Sequence, residues 1–347
     1  MADLLVTNFN RNFTGVSATA ANVIRQQARR YDMALMGRAL PGCPEPISIA
    51  AARAASRHHD PAKPFAIWHV RRNTEMRAAI WARDVLRLPV RIVFTSAAQR
   101  RHSAFPRWLI SRMDAVVATT DAAATYVPHV RAVVPHGVDT DVFTPAENRT
   151  SAWAALGYGG QQGIATIGRI RPEKGTDLFV DAMLRLLPDH PGTVALVIGR
   201  AAREHQGFLK GLQAKITAAG LGERILFPGE ISASDLPRVM RALSLVMQLP
   251  RYEGYGMAPL EGLASAVPFV GSDTGYYGAF SAQGTVGTVV PLEAADAAAQ
   301  AAGQLLASPK ELSRRGQAGR DLAVHAFSAG AEADGIDAVY QQLWSAG

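Results

Sequence analysis

Short apolar runs rich in β-branched residues alternate with longer helical stretches along the whole chain, and the alternation starts again near the middle. Such alternation is typical of parallel α/β units. In the first half, strands are expected at LLVTN, MALMG, FAIWH, VRIVFTS, AVVATT and VRAVVP. In the second half they are expected at GIATIGRI, VALVIG, ILFPG, LSLVMQLP, PFVGSD and GTVVP, and the alanine-rich tail from about Ala294 is expected to be helical. The pattern predicts two α/β domains of similar design.

A segment of turn-forming composition separates the two halves. VPHGVDTDVFTPAENRTS contains two prolines, one glycine and several Asp, Asn and Thr residues, a composition typical of turns and linkers. The chain has 347 residues, of which 48% are hydrophobic, and this is enough to fill two cores. We place an N-terminal domain at residues 1–147, a C-terminal domain at 148–325, and a last helix at 326–347 that can pack back on the N-terminal domain.

The charge is positive and unevenly distributed. A formal net charge of +7 favours anionic partners. One stretch of the first half is rich in arginine: Arg71, Arg72, Arg77, Arg83, Arg87, Arg91, Arg100, Arg101, Arg107 and Arg112. This stretch is either a solvated surface or a face that meets an anionic membrane or an acidic acceptor. The single cysteine, Cys43, suits a reducing compartment, and no long apolar run indicates a signal peptide or a membrane span. We expect a cytoplasmic location, with peripheral contact to the inner face of the membrane.

The strongest local signal is the glycine-rich loop of residues 252–262, YEGYGMAPLEG, between an apolar strand and a helix. Gly254 and Gly256 allow a tight turn and close approach to a ligand, and the helix that follows presents unpaired N–H groups to an anion. Glu253 on the loop and Glu261 in the helix can accept hydrogen bonds from sugar hydroxyls. The alternative is a plain glycine-rich loop with a capping glutamate. The combination favours a site for a phosphorylated sugar.

A second signal, GRIRPEKGT, follows the strand GIATIG, and α/β sheets bind ligands at the carboxyl ends of their strands. Arg169 and Lys174 flank a turn, and a guanidinium and an ammonium five residues apart can converge on a diphosphate. The alternative is that these two exposed cations only keep the loop solvated. Together with the glutamate loop, the turn favours phosphate binding.

The first half gives weaker indications. Gly15 lies in a strand-to-helix loop and its backbone can approach a phosphate, although a plain turn explains the loop equally well. His69 ends the strand FAIWH, where it can orient a sugar or an acceptor, although a histidine at a strand end is more often structural.

Several classes of enzyme are disfavoured. No G-x-G-x-x-G follows the first strand, which argues against a nicotinamide dehydrogenase. A P-loop, a G-x-S-x-G motif and a Cys/His cluster are also missing from the sequence, and no D-x-D motif stands out. No metal or cofactor is expected to be required. An epimerase, a phosphorylase, or a non-catalytic module that binds nucleotide-sugar or nucleic acid are the rival interpretations, and no nucleic-acid partner is expected.

With these motifs, the chain resembles glycosyltransferase family 4, whose members are retaining enzymes of GT-B fold, with two Rossmann-like domains facing across a cleft. The resemblance covers nearly the whole length. It rests on E-x7-E (Glu253, Glu261), on G-R-x4-K-G (Gly168 to Gly175), and on HGVDTDVF, which is similar to the family's N-G-V-D-x-x-x-F. The chain departs from the family at His136, where Asn is usual, and at Thr14-Gly15, where a Gly-Gly pair is usual.

The resemblance implies roles for particular residues. Arg169 and Lys174 would hold the donor diphosphate, Glu253 the transferred sugar and Glu261 the ribose. The amides of Tyr255, Gly256 and Met257 would contact sugar or phosphate, Gly15 would face the diphosphate, and His69 would lie near the reacting carbon. As catalytic residues it implies His69, Glu253, Arg169 and Lys174.

Three further stretches, WHVRRNTEM, FTSAAQRRH and RWLISRMDAVVATT, are similar to those of lipopolysaccharide-core mannosyltransferases that use GDP-mannose. This similarity implies transfer of a hexose, best mannose from GDP-mannose, to an acidic, membrane-anchored glycolipid. Candidates for binding the acceptor's acidic groups are Arg71, Arg72, Arg100 and Arg101. The alternative is transfer from a UDP-sugar to another envelope glycan.

Overall fold

The computed structural model describes residues 2–12, 14–57, 60, 63–98 and 100–346. Phe13 and Gln99, which fall within stretches discussed above, lie outside the described residues. The described chain divides into two compact units. The first comprises the residues up to Gly137 together with those from Phe327 onward, and the second runs from Val138 to Ala326.

The first unit contains a six-stranded parallel sheet in the order β2-β1-β3-β4-β5-β6. Its strands are β1 (Leu4–Asn8), β2 (Met33–Gly37), β3 (Ala66–Val70), β4 (Val90–Ser96), β5 (Ala115–Ala118) and β6 (Val130–Val133). Its helices are α1 (Gly15–Gln27), α2 (Ile49–Ala55), α3 (Asn73–Ile80), α4 (Ala104–Ser111), α5 (Asp121–Ala124) and α14 (Ala329–Ser345). A π-helical turn, Trp81–Val85, continues α3.

The second unit contains another six-stranded parallel sheet, in the order β12-β11-β10-β7-β8-β9. Its strands are β7 (Gln162–Ile167), β8 (Thr193–Ile198), β9 (Ile225–Gly229), β10 (Leu245–Gln248), β11 (Phe269–Ser272) and β12 (Thr288–Val290). Its helices are α6 (Arg149–Ala154), α7 (Thr176–Leu186), α8 (Gln206–Ala218), α9 (Leu236–Ala242), α10 (Met257–Ala264), α11 (Tyr277–Phe280), α12 (Ala295–Leu306) and α13 (Pro309–Ala326). Short 3₁₀ turns cover Pro172–Lys174, Leu187–Asp189 and Arg203–His205.

The sheets form where the sequence has continuous apolar runs, as expected for strands that are covered on both faces. Every residue of β1 and of β8 is buried. One face of α7, with Phe179, Met183 and Leu186, packs in the core of the second unit, where α12 lies against it. The α/β architecture of two Rossmann-like units is confirmed. The tail, however, forms three helices, because the chain turns at residues 307–308 and again at 327–328.

The last helix, α14, is part of the first unit. Gln27 Nε2 donates to Asp337 Oδ1 at 2.7 Å, and Trp344 Nε1 donates to the carbonyl of Phe65 at 3.0 Å. The amide of Gly137 donates to Glu332 Oε2 at 2.7 Å. These bonds fix α14 against residues that precede it by about two hundred positions or more.

The division between the units lies earlier than the 147/148 boundary expected from the sequence. Within the second unit, Arg320 donates to the carbonyls of Phe143 at 2.8 Å and of Thr140 at 3.0 Å. Residues 138–147 therefore belong with the second unit. Turn composition marks the linker in the sequence, but it cannot show which of the two units will donate hydrogen bonds to the linker's carbonyl groups.

Candidate functional site

The order of strands in the second sheet reverses between β7 and β10. From β7 the chain continues outward through β8 and β9, whereas β10, β11 and β12 are added on the other side. In open α/β sheets, such a switch point leaves a crevice beyond the carboxyl ends of the two central strands, and ligands bind there. The loops that leave the sheet at this point carry both motifs identified in the sequence, residues 168–175 after β7 and residues 250–256 after β10.

The loop after β7 presents two cations differently. Arg169 is exposed, and no ion pair or hydrogen bond of its side chain occurs among the described residues. Lys174 ends the 3₁₀ turn and precedes Gly175, which has φ +63°. A Cβ at Gly175 would lie 1.7 Å from the carbonyl oxygen of Leu249. Glycine is therefore required here both by the left-handed backbone and by the close approach of the chain leaving β10.

Arg251, which the sequence analysis did not single out, ties the two loops together. Its guanidinium donates two bonds of 2.8 Å to the carboxylate of Asp177, and it also donates to the Pro172 carbonyl at 2.5 Å. Its backbone amide donates to the Glu173 carbonyl at 3.0 Å. The bond to Asp177 raises the pKa of Arg251. The only sequence signal was an arginine directly before the glutamate loop.

The two loops meet in an ion pair between Lys174 and Glu253. The ammonium lies 2.5 Å from Glu253 Oε2, and both side chains are more than two-thirds buried. The other carboxylate oxygen accepts from the amide of Gly254 at 2.9 Å. The sequence assigned these two residues to different parts of the donor, and the structure brings them into direct contact. A charge-assisted bond of this kind fixes the positions of both side chains.

The glutamate loop ends at the N-terminus of α10, which begins at Met257. Gly256 has φ +95°, and a Cβ at this residue would lie 2.0 Å from the ring of Tyr277. The ring of Tyr255 is buried and stacks on that of Tyr276 at 5.2 Å. The first amides of a helix lack intrahelical acceptors and carry the positive end of its dipole. The loop therefore aims the start of α10 at the switch point, with Tyr255 held by ring packing.

Glu261 lies one helical turn after Met257, on the same face of α10. Its side chain is half-buried, and no hydrogen bond to it occurs among the described residues. Burial raises the pKa of this carboxyl to about 7. The carboxyl of Glu261 therefore titrates much nearer to neutral pH than an ordinary glutamate does.

We expect the affinity for a sugar nucleotide to depend on the ionisation of Glu261. The carboxylate accepts hydroxyl bonds at both oxygens and accepts them more strongly than the protonated group does, so affinity should rise by up to about tenfold between pH 6 and pH 8. Calorimetric titration with GDP-mannose, whose diphosphate does not titrate in this range, measures the effect. The Glu261→Gln variant should show a flat profile, and an unchanged slope in this variant would remove the carboxyl as the cause.

The same pKa shift predicts an effect on folding. The folded-state value of about 7 lies above the ordinary 4.5, so the folded chain holds a proton at Glu261 that the unfolded chain releases between these values. The stability contributed by this group is present below pH 4.5 and is lost as the pH rises through 7.

A cavity of about 410 Å³ adjoins Arg169 at the carboxyl ends of β7, β8 and β9. Its apolar lining comprises Ile167, Ile170, Ile198, Ile231 and Leu236, and its polar lining includes Arg169, Arg200, Glu204, His205 and Glu230. The sequence analysis did not single out residues beyond Arg169 here, because they come from three separate loops. Apolar faces with a few carboxylates and cations suit a planar heterocycle with polar edges.

In the first unit, Gly15 is exposed at the first residue of α1. Nearby, the guanidinium of Arg72 is hydrogen-bonded to protein side chains. It donates to Asn8 at 3.2 Å, Glu75 at 3.0 Å, Thr14 at 3.3 Å and Ser17 at 3.0 Å. These bonds hold the loop between β1 and α1, and acceptor binding by Arg72 stays a prediction.

His69 lies in the core of the first unit, and its expected place near a reacting carbon stays a prediction. The side chain is fully buried, Nε2 lies 2.6 Å from Thr95 Oγ1, and Nδ1 bonds the hydroxyl of Tyr340. Burial lowers the pKa of the imidazole well below its usual range. Both ring nitrogens thus have protein partners, and the ring lies in the sheet's core. The sequence could not show this, because Tyr340 lies on α14.

Arg71, Arg100 and Arg101 remain available to a ligand. Arg71 lines a pocket of about 170 Å³, and Arg100 and Arg101 line an open pocket of about 570 Å³ with Arg107. His102 lines both pockets. Among the described residues, we find no group of acidic, His or Cys side chains suited to a metal ion, and no helix long and apolar enough to cross a membrane.

Comparison with known proteins adds independent findings. The family model for glycosyl transferases group 1 matches residues 152–322. The lipopolysaccharide core biosynthesis mannosyltransferase LpcC of Rhizobium leguminosarum bv. viciae is 38% identical over 344 residues, which cover 98% of this chain and 96% of that protein. A GDP-mannose-dependent alpha-(1-6)-phosphatidylinositol monomannoside mannosyltransferase of Mycolicibacterium smegmatis is 31% identical over 200 residues, covering 55% of this chain and 51% of that protein.

The fold is also found among solved structures. Anabaena Alr3699/HepE, solved in complex with UDP, superposes with a TM-score of 0.82, covering 98% of this chain and 100% of that one at 16% sequence identity. At this identity the likeness concerns the fold alone, and it confirms the expected GT-B architecture.

Proposed function

We propose a specific reaction for this chain, which belongs to the glycosyl transferases group 1 family and is a glycosyltransferase. It moves a mannosyl group from GDP-mannose to an acidic acceptor of the lipopolysaccharide core. One observation carries the chemistry. Arg169 and Lys174 lie on the loop after β7, at the switch point of the second sheet, and the start of α10 follows the loop after β10; Arg251 ties these two loops together. This arrangement supports a site for a diphosphate beside a sugar.

The donor's leaving group gains negative charge as its bond to the sugar stretches. Arg169 is available to meet this charge because its guanidinium has no ion-pair partner among the described residues. The first amides of α10 add a positive dipole end. The amides of α10 are fixed by the helix before the donor arrives, so they stabilise the charge that develops in the transition state more than the ground state.

Lys174 and Glu253 act as a pair in this proposal. When the diphosphate arrives, the ammonium can share its donors between phosphate oxygens and Glu253, since it has three N–H groups. The Glu253 carboxylate, held by Lys174 and by the Gly254 amide, then accepts a sugar hydroxyl. No strong protein base is required, because the leaving phosphate can take the acceptor proton, which is consistent with retention of configuration at the sugar carbon.

Two observations support GDP as the nucleotide. The Mycolicibacterium smegmatis relative is described as GDP-mannose-dependent. The cavity beside Arg169 also carries the carboxylates of Glu204 and Glu230. A carboxylate accepts two parallel N–H bonds, and guanine presents two adjacent N–H groups on one edge where uracil presents one.

The experiment is a transfer assay with purified protein, radiolabelled GDP-mannose or UDP-glucose, and a lipopolysaccharide-core glycolipid. We expect incorporation of one mannose from GDP-mannose, and NMR of the product should show the donor's anomeric configuration retained. Transfer from the UDP-sugar alone would establish the alternative of a UDP-dependent envelope glycosyltransferase. Absence of transfer from either donor, with nucleotide bound, would contradict the proposal.

Peripheral membrane contact is the second part of the proposal, since the acceptor is a glycolipid. Helices α3 and α4 pack together. Two apolar side chains in the π-helical turn that continues α3 and two on α4 are about half-exposed: Trp81 at 50%, Val85 at 53%, Phe105 at 53% and Trp108 at 55%. Exposed arginines lie among them, Arg77, Arg87, Arg101 and Arg107. Aromatic and basic residues exposed together suit the interface of an anionic bilayer.

We expect Trp108→Glu to weaken binding to vesicles of phosphatidylcholine and phosphatidylglycerol about tenfold, because the variant loses the transfer of one aromatic side chain and adds a like charge. Co-sedimentation measures the bound fraction. Tyr126→Glu is the matched control, since Tyr126 is also exposed, at 38%, but lies after α5. Equal binding by the two variants, or equal binding to purely neutral vesicles, would argue against this surface.

A further inference from the structure

The first sheet also has a switch point, between β1 and β3, and a small pocket lies beside it. The pocket has a volume of about 170 Å³. Residues at the carboxyl end of β4 and in the chain that follows β3 and β4 line it, among them Arg71, Asn73, Ser96 and His102. The proposed transfer reaction assigns no particular group to this space.

The guanidinium of Arg71 is buried, and no ion pair of it occurs in the part of the chain that the structure describes. The residue is only 9% exposed, and its Nη1 atom has no hydrogen-bond partner among the described residues. Burial lowers the pKa of Arg71, but an arginine remains protonated at any physiological pH. The pocket therefore contains a full positive charge that has been removed from water.

The two carboxylates whose charges act most on Arg71 are already bonded to other groups. Glu75 accepts bonds from Thr7 at 2.9 Å, from the amides of Phe9 at 3.1 Å and Arg71 at 2.8 Å, and from the Arg72 guanidinium at 3.0 Å. Glu332 bonds the ring of His136 at 2.8 Å and the amide of Gly137 at 2.7 Å. Neither is bonded to the side chain of Arg71. A buried charge without a bonded partner destabilises a fold by several kcal/mol in general.

Two other polar atoms around the pocket lack partners in the same way. Ser96 Oγ and His102 Nε2 are buried and form no hydrogen bond among the described residues. Both residues line the pocket together with Arg71. Buried polar atoms in folded proteins are nearly always satisfied. Three unsatisfied atoms around one cavity therefore indicate a ligand with several acceptor oxygens.

We propose that Arg71, Ser96 and His102 form a binding site for one oxyanion group of the acceptor, a carboxylate or a phosphate. The planar guanidinium matches either group through paired N–H donors, and the hydroxyl and imidazole supply further donors. The cavity admits one small group. This inference rests on the proposed transfer to an acidic glycolipid and specifies which protein groups recognise the acid.

The neighbouring open pocket extends the site. Arg100, Arg101 and Arg107 line it, and His102 is common to both pockets. None of these three arginines has an ion pair among the described residues. A second negative group on the same acceptor can therefore lie over the open pocket while the first occupies the inner one.

The test compares Arg71→Met with wild type in the transfer assay, using the full chain. Loss of a charged hydrogen-bonding partner should raise the acceptor KM about 10–100-fold and leave the KM for GDP-mannose unchanged. Arg131→Met is the control, since Arg131 is exposed on β6 outside both pockets. Arg71→Lys keeps the charge but lacks the paired N–H donors of a guanidinium, so its acceptor KM should lie between those of wild type and Arg71→Met.

Two modified acceptors identify the source of the oxyanion. If it is a carboxylate, converting the acceptor's carboxyl groups to amides should raise the wild-type KM to that of Arg71→Met and leave the variant unaffected. If it is a phosphate, enzymatic removal of the acceptor's phosphates should do so instead. An Arg71→Met variant with wild-type KM, or with an equal loss on acceptors of every kind, would overturn the inference.

A binding measurement separates this inference from the proposed function. Calorimetric titration of the protein with inorganic phosphate and with glucuronate should show binding of at least one anion by wild type and by Arg131→Met, and at least a tenfold loss in Arg71→Met. This result does not depend on transfer. Anion binding by wild type without any transfer would support the site and reject the proposed reaction. Equal anion binding by wild type and Arg71→Met would reject the site. A melting temperature near that of wild type confirms that the variant is folded.

Discussion

Replacing Arg169 or Lys174 with methionine is expected to lower kcat for mannosyl transfer by about 10²–10³-fold, the effect of removing one preorganised donor from a developing negative charge. Methionine keeps most of the side-chain volume and removes the charge. The measurement is initial-rate transfer at saturating acceptor. Lys210→Met is the control, because Lys210 is exposed on α8 and lacks an ion pair among the described residues.

The two variants should differ in a diagnostic way. Lys174→Met also removes the partner of Glu253, whereas Arg169→Met removes a cation that has no ion-pair partner in the described part of the chain. We therefore expect strong non-additivity between Lys174→Met and Glu253→Gln, and additivity between Arg169→Met and Glu253→Gln, in double-mutant cycles of kcat. Near-normal turnover of both single variants would place the diphosphate elsewhere, and additivity in both cycles would remove the pair from the mechanism.

Gly175→Ala should destabilise the second unit by about 2–5 kcal/mol, which combines left-handed backbone strain with a severe steric clash. The added Cβ would lie 1.7 Å from the Leu249 carbonyl oxygen, so the loop after β7 must move away from the chain that leaves β10. For a unit of this size, the melting temperature should fall by roughly 5–15 °C in a calorimetric scan.

Gly157→Ala is a matched control for this effect. Gly157 also has a left-handed backbone, with φ +76°, but nothing lies within 4 Å of an added Cβ. The Gly157→Ala substitution should therefore lower the free energy of unfolding only by the backbone strain, about 1 kcal/mol. If both variants melt at the same temperature, the contact with Leu249 contributes nothing. We also expect Gly175→Ala to reduce transfer, because Lys174 directly precedes it.

Much of the second unit follows from local sequence. The strand before Gly168 and the strand before Arg251 are continuous apolar runs, and glycines mark the places where the backbone turns sharply. These features locate both loops correctly at the carboxyl ends of strands. The contact between Lys174 and Glu253 does not follow from them, because it depends on β7 and β10 being neighbours in the sheet.

The first unit was harder to predict, because its decisive contacts are long-range. His69 lies next to the end of β3, one residue before Val70, but its partner Tyr340 lies on the last helix. Arg71 and Arg72 are adjacent in sequence and appeared equivalent, yet Arg71 is buried and lines the small pocket, whereas Arg72 is bonded to four protein side chains. The direction of each side chain at the end of β3 decides between these roles, and sequence pattern does not report that direction.

The return of α14 to the first unit has a consequence for how the chain is made. Residues 138–326 form a continuous unit and have all their strands once residue 326 has been synthesised. The first 137 residues leave the ribosome earlier but lack the helix that supplies Tyr340 to His69, Trp344 to Phe65 and Glu332 to Gly137. The half that is translated first is therefore the last to be completed. Until α14 has been synthesised, the largely apolar surface that it covers is accessible to chaperones and to other nascent chains.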